Sequence, residues 1–261
     1  MPLKLNNEVI MQYAKIFLIS VSILFTGLIS ILMPVNVFAQ TVPTSDKLAI
    51  ENIVREYILK NPELVIEAIE LFQEKQRVSK EEAKTRALNV RTDQIYSDPA
   101  TPTSGEAHAG VTIVEFFDYR CTYCRSMSRT LLNIIDAKED VRIIWKELPI
   151  LGEDSVFAAR AALAAGMQGK YLDFHRTLMI TRSRLSEDWV MTLAEGIGLD
   201  IEKLKQDMNS TKVTQQIGAN SDLARQLDIR GTPAFIIDGK IFAGALEPDK
   251  LKQIIKDARK P

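Results

Sequence analysis

Cysteine and histidine are scarce: the 261-residue chain holds two of each. A structural zinc site takes four ligands, so Cys121, Cys124, His108 and His175 would all have to converge to build one. Their spacing does not follow the usual zinc patterns. The count alone leaves a Cys2His2 site open, but no metal is expected. Charge of one sign is equally short. Lys and Arg number 33 against 34 Asp and Glu, a net charge of -1, so the chain lacks the basic surplus of a nucleic-acid binder and no such partner is expected. No internal repeat or low-complexity tract is present. What remains is a chain with 46% hydrophobic residues, long enough for one large globular domain or two modest ones.

The N-terminus is built as a targeting segment. Lys4 and Lys15 flank the apolar run Ile16 to Met33, and the small residues Val37 and Ala39 stand where a signal peptidase reads. Residues 1–39 are therefore expected to be a signal peptide, with a start at Met11 giving a more ordinary one. The run is also long enough to span a bilayer, so an uncleaved membrane anchor is the alternative. Both place the rest of the chain in an exported compartment, where disulfides persist.

Residues 40–96 read as helical. "DKLAIENIVREYILK" sets Ile50, Ile53, Val54, Tyr57 and Ile58 at one-face helical spacing. Asn61 is a good N-cap for a second helix, with Pro62 and Glu63 suited to its first turn. That helix opens on a stripe of Val65, Ala68, Ile69 and Phe72, broadened by Leu64, Ile66 and Leu71. From Gln73 to Arg86 only Val78 and Ala83 are apolar. Helix throughout 62–96 would extend about 50 Å at about 1.5 Å per residue. An apolar head on a polar stalk fits self-association through residues 46–72 followed by a charged linker. A helical hairpin folded onto its own domain is the alternative.

"SDPATPTSGEAHAG", residues 97–110, is a Pro/Gly/Ser-rich break and the expected boundary of a second domain, 97–261. "VTIVEFF" then reads as a buried strand, "MSRTLLNIID" as a helix and "VRIIWKELPI" as a strand, a unit that implies a parallel pair and a right-handed crossover. About 153–228 every signal is helical. "TPAFIIDGKIFAG" reads as a β-hairpin turned by Asp238-Gly239, and a last helix buries Leu251, Ile254, Ile255 and Ala258.

The cysteines sit in "FFDYRCTYCRSM", at the start of the helix after the first strand. A staple across so short a loop would restrain little of the unfolded chain. An isolated C-x-x-C in an exported protein reads instead as a redox pair. Cys121 would lie where the helix start favours a thiolate, which is both the better nucleophile and the better leaving group in disulfide exchange. Cys124 lies one turn further in. Glu115 is a carboxylate inside an apolar strand, either at a sheet edge facing water or buried. Thr232-Pro233 suits a turn or a strand start.

"VTIVEFFDYRCTYC", "WKELPI" and "RGTPAF" together resemble the DsbA family of exported thiol-disulfide oxidoreductases, and "IENIVREYILKNPELVIEAIELFQ" resembles the N-terminal helices of its ScsC-like and Com-type oligomeric members. The resemblance implies an α/β thioredoxin fold with an inserted helical domain, preceded by an N-terminal helical oligomerisation segment. It implies that Cys121 is the nucleophile and Cys124 the resolving cysteine, and that Glu115 exchanges protons with Cys124. Lys146 is the expected partner of Glu115 across the sheet. Thr232 and a cis Pro233 would face the cysteines and, with Thr122 and Tyr123, meet the substrate. Thr122 departs from the Pro that many members carry after the first cysteine, which leaves oxidase and isomerase directions both open. The implied partners are cysteine-containing exported proteins and a membrane or periplasmic redox protein that resets the disulfide. The implied location is periplasmic, with no cofactor beyond the Cys121–Cys124 disulfide. His175, Trp145 and Trp189 read as packing or surface residues.

Overall fold

The computed structural model describes residues 44–259. The expected signal peptide, residues 1–39, lies outside the described residues. The chain divides into two units, one ending at Ile69 and the other beginning at Glu70. Helices α1 (Thr44–Lys60) and α2 (Glu63–Val90) come first. Asn61, expected to cap the start of α2, instead donates from Nδ2 to the Tyr57 carbonyl at 2.8 Å and so closes the end of α1. The apolar side chains of this region are exposed: Ile53 is 67% accessible, Leu59 73% and Phe72 62%. The polar stretch after Phe72 is held by i,i+3 and i,i+4 pairs such as Arg77–Glu74 and Lys84–Glu81.

Helix does not continue to residue 96. It breaks at Arg91, whose φ of -112° and ψ of 18° leave the helical region, and restarts as the short α3 (Thr92–Tyr96). The break lets Leu88 and Ile95 both turn inward, against Val114, Phe116, Ile144, Leu223 and Ile236.

The second unit is built on a five-stranded mixed sheet. Its strands are β1 (Thr103–Gly105), β2 (Val111–Phe117), β3 (Val141–Glu147), β4 (Ala234–Ile237) and β5 (Lys240–Ala243), in the order β1-β3-β2-β4-β5. β2 and β3 run parallel, joined through α4 (Thr122–Asp136), as the strand-helix-strand pattern predicts. The β4–β5 hairpin turns on Asp238 and Gly239, both at positive φ (49° and 64°), the geometry of the tight turn that Asp-Gly favours. β1 was not expected. It lies inside the segment read as a break, pairs antiparallel with β3, and is pinned by Trp145 Nε1 donating to Ser104 Oγ at 2.9 Å.

Between β3 and β4 stand five helices: α5 (Glu153–Gly166), α6 (Tyr171–Ile180), α7 (Glu187–Gly196), α8 (Ile201–Met208) and α9 (Thr211–Gln226). α10 (Pro248–Ala258) follows the hairpin. Side chains alternate across the sheet. Ile113, Phe117, Trp145 and Phe235 face one cluster with α4 and the inserted helices, while Val114, Phe116, Ile144 and Ile236 face the other with Leu88 and Ile95. Ile95 is fully buried, so Ile95→Ala is expected to destabilise the domain by about 2–5 kcal/mol. A thermal melt that matches the unmodified protein would show that α3 adds nothing to the core.

Candidate active site

α4 positions the two cysteines. Its buried residues Cys124, Met127, Ser128, Leu131 and Leu132 follow helical spacing and dock it on the sheet. Cys121 is the N-cap, in extended backbone (φ -72°, ψ 116°), and its sulfur accepts from the Cys124 amide at 3.5 Å. The sulfur that an N-cap oxygen would replace thus sits among the unpaired N–H groups that begin a helix. Both cysteines are free thiols. The Cys121 thiol donates to the Thr232 carbonyl at 3.2 Å, so residues 111 positions apart meet. The Thr232–Pro233 peptide is cis. Thr122 and Tyr123 form the first turn of α4, and Tyr123 is 67% exposed beside the thiol.

Glu115 lies in β2, the middle strand, paired with Trp145 of β3 and Phe235 of β4. The edge alternative therefore falls. Its carboxyl is buried, and neither oxygen has a hydrogen-bond partner among the described residues. Burial, reinforced by the Cys121 sulfur, pushes Glu115 well above the ordinary carboxylate range. Burial and the nearby Glu115 likewise push the Cys124 thiol far up. A protonated acid and a protonated thiol therefore share the space beneath Cys121.

Lys146 is not the partner of Glu115. It pairs in register with Phe116, one residue off, and so faces the opposite side of the sheet. There its ammonium donates to the Gln94 carbonyl and to Thr101 Oγ1, both at 2.8 Å, and lies 3.5 Å from Asp98.

Two features escaped the sequence reading. The first is Asp118, directly after β2. Its carboxylate accepts from the Arg120, Ile150 and Leu151 amides and from Ser155 Oγ, at 2.7 to 3.0 Å. An acid immediately after a buried strand and ahead of a helix start was the available signal. The second is a buried cluster around Glu147. Tyr171 and Tyr119 hydroxyls both approach its Oε1, at 2.8 and 3.0 Å, and Tyr119 also lies 3.1 Å from His175 Nδ1. Burial pushes Glu147 well up, with Asp118 and Glu115 adding to it against the pull of the two tyrosines. His175 is buried and held down to about 3 by desolvation and the Arg176 charge. Its ring packs against Phe117, Trp145 and Tyr171, the packing role read from the sequence.

The chain that carries this thiol pair is similar to known proteins. The DSBA-like thioredoxin domain family matches residues 112–256. The chain belongs to that family. Within this DsbA-like protein, the N-terminal domain of the copper resistance protein ScsC matches residues 46–77. A thioredoxin-like oxidoreductase from Silicibacter pomeroyi is 42% identical, over 65% of this chain and 98% of that one, with a TM-score of 0.62. Proteus mirabilis ScsC in a compact conformation is 30% identical over 80% of this chain and 96% of that one, with a TM-score of 0.61. A Na(+)/H(+) antiporter NhaA of Salinispora arenicola is 26% identical over 59% of this chain, which spans 24% of that protein's length. The likeness to the antiporter is thus to a quarter of it.

The buried acid generates a pH signature. The fold keeps the Glu115 proton, whereas the unfolded chain releases it above about pH 4. The folded state therefore loses stability as pH rises from there towards the raised folded value, by up to about 1.4 kcal/mol per unit. Glu115→Leu removes that loss, so its stability gain in urea unfolding should be larger near about pH 8 than near about pH 5. Comparing the two proteins at each pH cancels the shared His175 contribution. A gain that is flat with pH would mean that Glu115 is charged in the fold.

Proposed function

We propose that this protein is an exported, periplasmic thiol-disulfide oxidoreductase that exchanges disulfides with cysteine-containing proteins, working as a homo-oligomeric disulfide isomerase. The observation that carries the reading is the meeting of the Cys121 thiol, the Cys124 amide and the Thr232 carbonyl around one sulfur. Cys121 as thiolate attacks a substrate disulfide, forming a mixed disulfide and releasing one substrate sulfur as thiolate. If another substrate cysteine then attacks, the substrate is reshuffled with no net electron transfer. If Cys124 attacks instead, it loses its proton to Glu115, the Cys121–Cys124 disulfide forms, and the substrate leaves reduced by two electrons. A membrane or periplasmic redox protein resets the pair. Thr232, Pro233, Thr122 and Tyr123 form the surface around Cys121 that receives the substrate chain.

The isomerase reading draws on the N-terminal helices. The match to the ScsC N-terminal domain covers 46–77, and the exposed Ile50, Ile53, Ile69 and Phe72 supply apolar surface for self-association. Tethering several thiol pairs raises the effective concentration of a second attack. Leu88 and Ile95 belong to the core, so the test keeps them and removes residues up to Phe72. Light scattering should show the full mature chain as an oligomer and the chain from Gln73 as a monomer. The monomer should retain simple dithiol exchange but lose most reshuffling of a scrambled substrate. Cys121→Ala should abolish both activities. A monomeric full chain, or equal reshuffling by the truncated one, leaves a monomeric DsbA-like oxidase. Aggregation suppression that is unaffected by Cys121→Ala, with no exchange activity in the unmodified protein, leaves a chaperone or surface binding protein with idle cysteines.

A further inference from the structure

Glu147 lies on the same sheet face as Glu115. The register sets Glu115 opposite Trp145 and Phe117 opposite Glu147, so the two acids are diagonal neighbours across the β2–β3 pair. The space around them is filled by rings. Phe117 and Trp145 meet edge-to-face with centroids 6.0 Å apart, and His175 packs on them at 5.0 and 4.3 Å. Charges in such surroundings are weakly screened, and two carboxyls so placed do not ionise independently.

We propose that Glu147 is a positioning residue whose charge sets the proton on Glu115, and with it the pH range in which Cys124 resolves mixed disulfides. The inference rests on the reading of Glu115 as the acceptor of the Cys124 proton. Glu147 is equipped to exist in both charge states. As a carboxylate it accepts from the Tyr171 and Tyr119 hydroxyls on Oε1, while His175 donates from Nδ1 to the Tyr119 oxygen. With one more proton, Glu147 donates to Tyr119, Tyr119 donates to Nδ1, and His175 carries its own proton on Nε2. Both arrangements keep the geometry of these contacts, and among the described residues Oε2 and Nε2 have no partner that would fix one of them.

Other titratable or polar groups among the described residues face this cluster. Asp118 approaches from the loop after β2, where four donors engage its carboxylate. Arg176 stands next to His175 on α6 and opposes its protonation. Asn220 on α9 donates to the Glu147 backbone carbonyl, not to its side chain. The Cys121 and Cys124 sulfurs face Glu115. When Glu147 is charged, Glu115 holds its proton to higher pH and Cys124 lacks an acceptor over that range. When Glu147 is neutral, Glu115 ionises at lower pH, and once ionised it takes the Cys124 proton as that sulfur attacks Cys121. The Cys121–Cys124 bond forms, the Cys121–substrate bond breaks, and the substrate sulfur leaves as thiolate.

The test follows decay of a mixed disulfide between Cys121 and a single-cysteine peptide against pH, in the full mature chain. Glu147→Gln should move the limb that belongs to Glu115 down by about one pH unit. Tyr119→Phe should move it the same way, because loss of a donor keeps Glu147 neutral over a wider range, and it carries the test if Glu147→Gln does not fold. Infrared difference spectra should show the buried Glu115 carboxylic acid band titrating at lower pH in both variants. A merely structural role would slow decay at every pH and leave the limb and the band where they are, and that result overturns the inference. Glu115→Gln separates the two readings. If it leaves the limb intact, Glu115 is not the acceptor and the underlying reading fails. If it removes the limb while the other two variants leave the wild-type midpoint unmoved, Glu147 alone is eliminated.

Discussion

The site depends on one buried carboxylate, that of Asp118. It accepts two amides from the loop after β3, one from the residue before Cys121, and the hydroxyl of Ser155 at the start of α5. The Asp118 carbonyl also accepts from the Cys121 amide at 3.1 Å. The backbone leading to the reactive sulfur is thereby tied to the end of β3 and to the first inserted helix. Hydrogen bonds to a charged, buried acceptor are the strong ones. Loss of this acceptor would strand three amides and a hydroxyl together, so the position of Cys121 is fixed from behind before any substrate arrives.

The inserted helices help to build the surroundings of the buried acids. α6 delivers Tyr171 and His175 to the sheet face that carries Glu115 and Glu147, and the aromatic rings there leave the acids in apolar surroundings. A buried acid without hydrogen-bond partners holds its proton to higher pH than an exposed one. The thioredoxin core alone contributes β2, β3 and α4, while the depth of burial at Glu115 comes from both layers packed on that face.

The sequence spelled out most of this architecture. Val111–Phe117 was readable to the residue because β-branched and apolar residues run unbroken there, and the Asp238-Gly239 turn because few other pairs accept two positive φ values. The C-x-x-C and its distant Thr-Pro partner were legible together through family resemblance, and the sulfur–carbonyl contact agrees with it. What failed has physical reasons. β1 is three residues that follow Pro102 and end on Gly105, and it exists because β3 offers an open edge, which no local pattern reports. Lys146 was matched to Glu115 by charge, but the pleat sends neighbouring residues to opposite faces. The Glu147 cluster assembles residues from the loop after β2, the end of β3 and α6, and only the fold brings them together.

The two flanks of the sheet carry a further meaning. An open strand edge invites any extended chain to continue the ladder, which is how sheets recruit unwanted neighbours. Here one flank ends in β1, three residues long and closed by Pro102 and Gly105. The other ends in β5, four residues that begin with an exposed lysine. Neither offers a landing strip for a guest polypeptide. The protein is thus guarded against zipping itself onto other extended chains along either flank of its sheet.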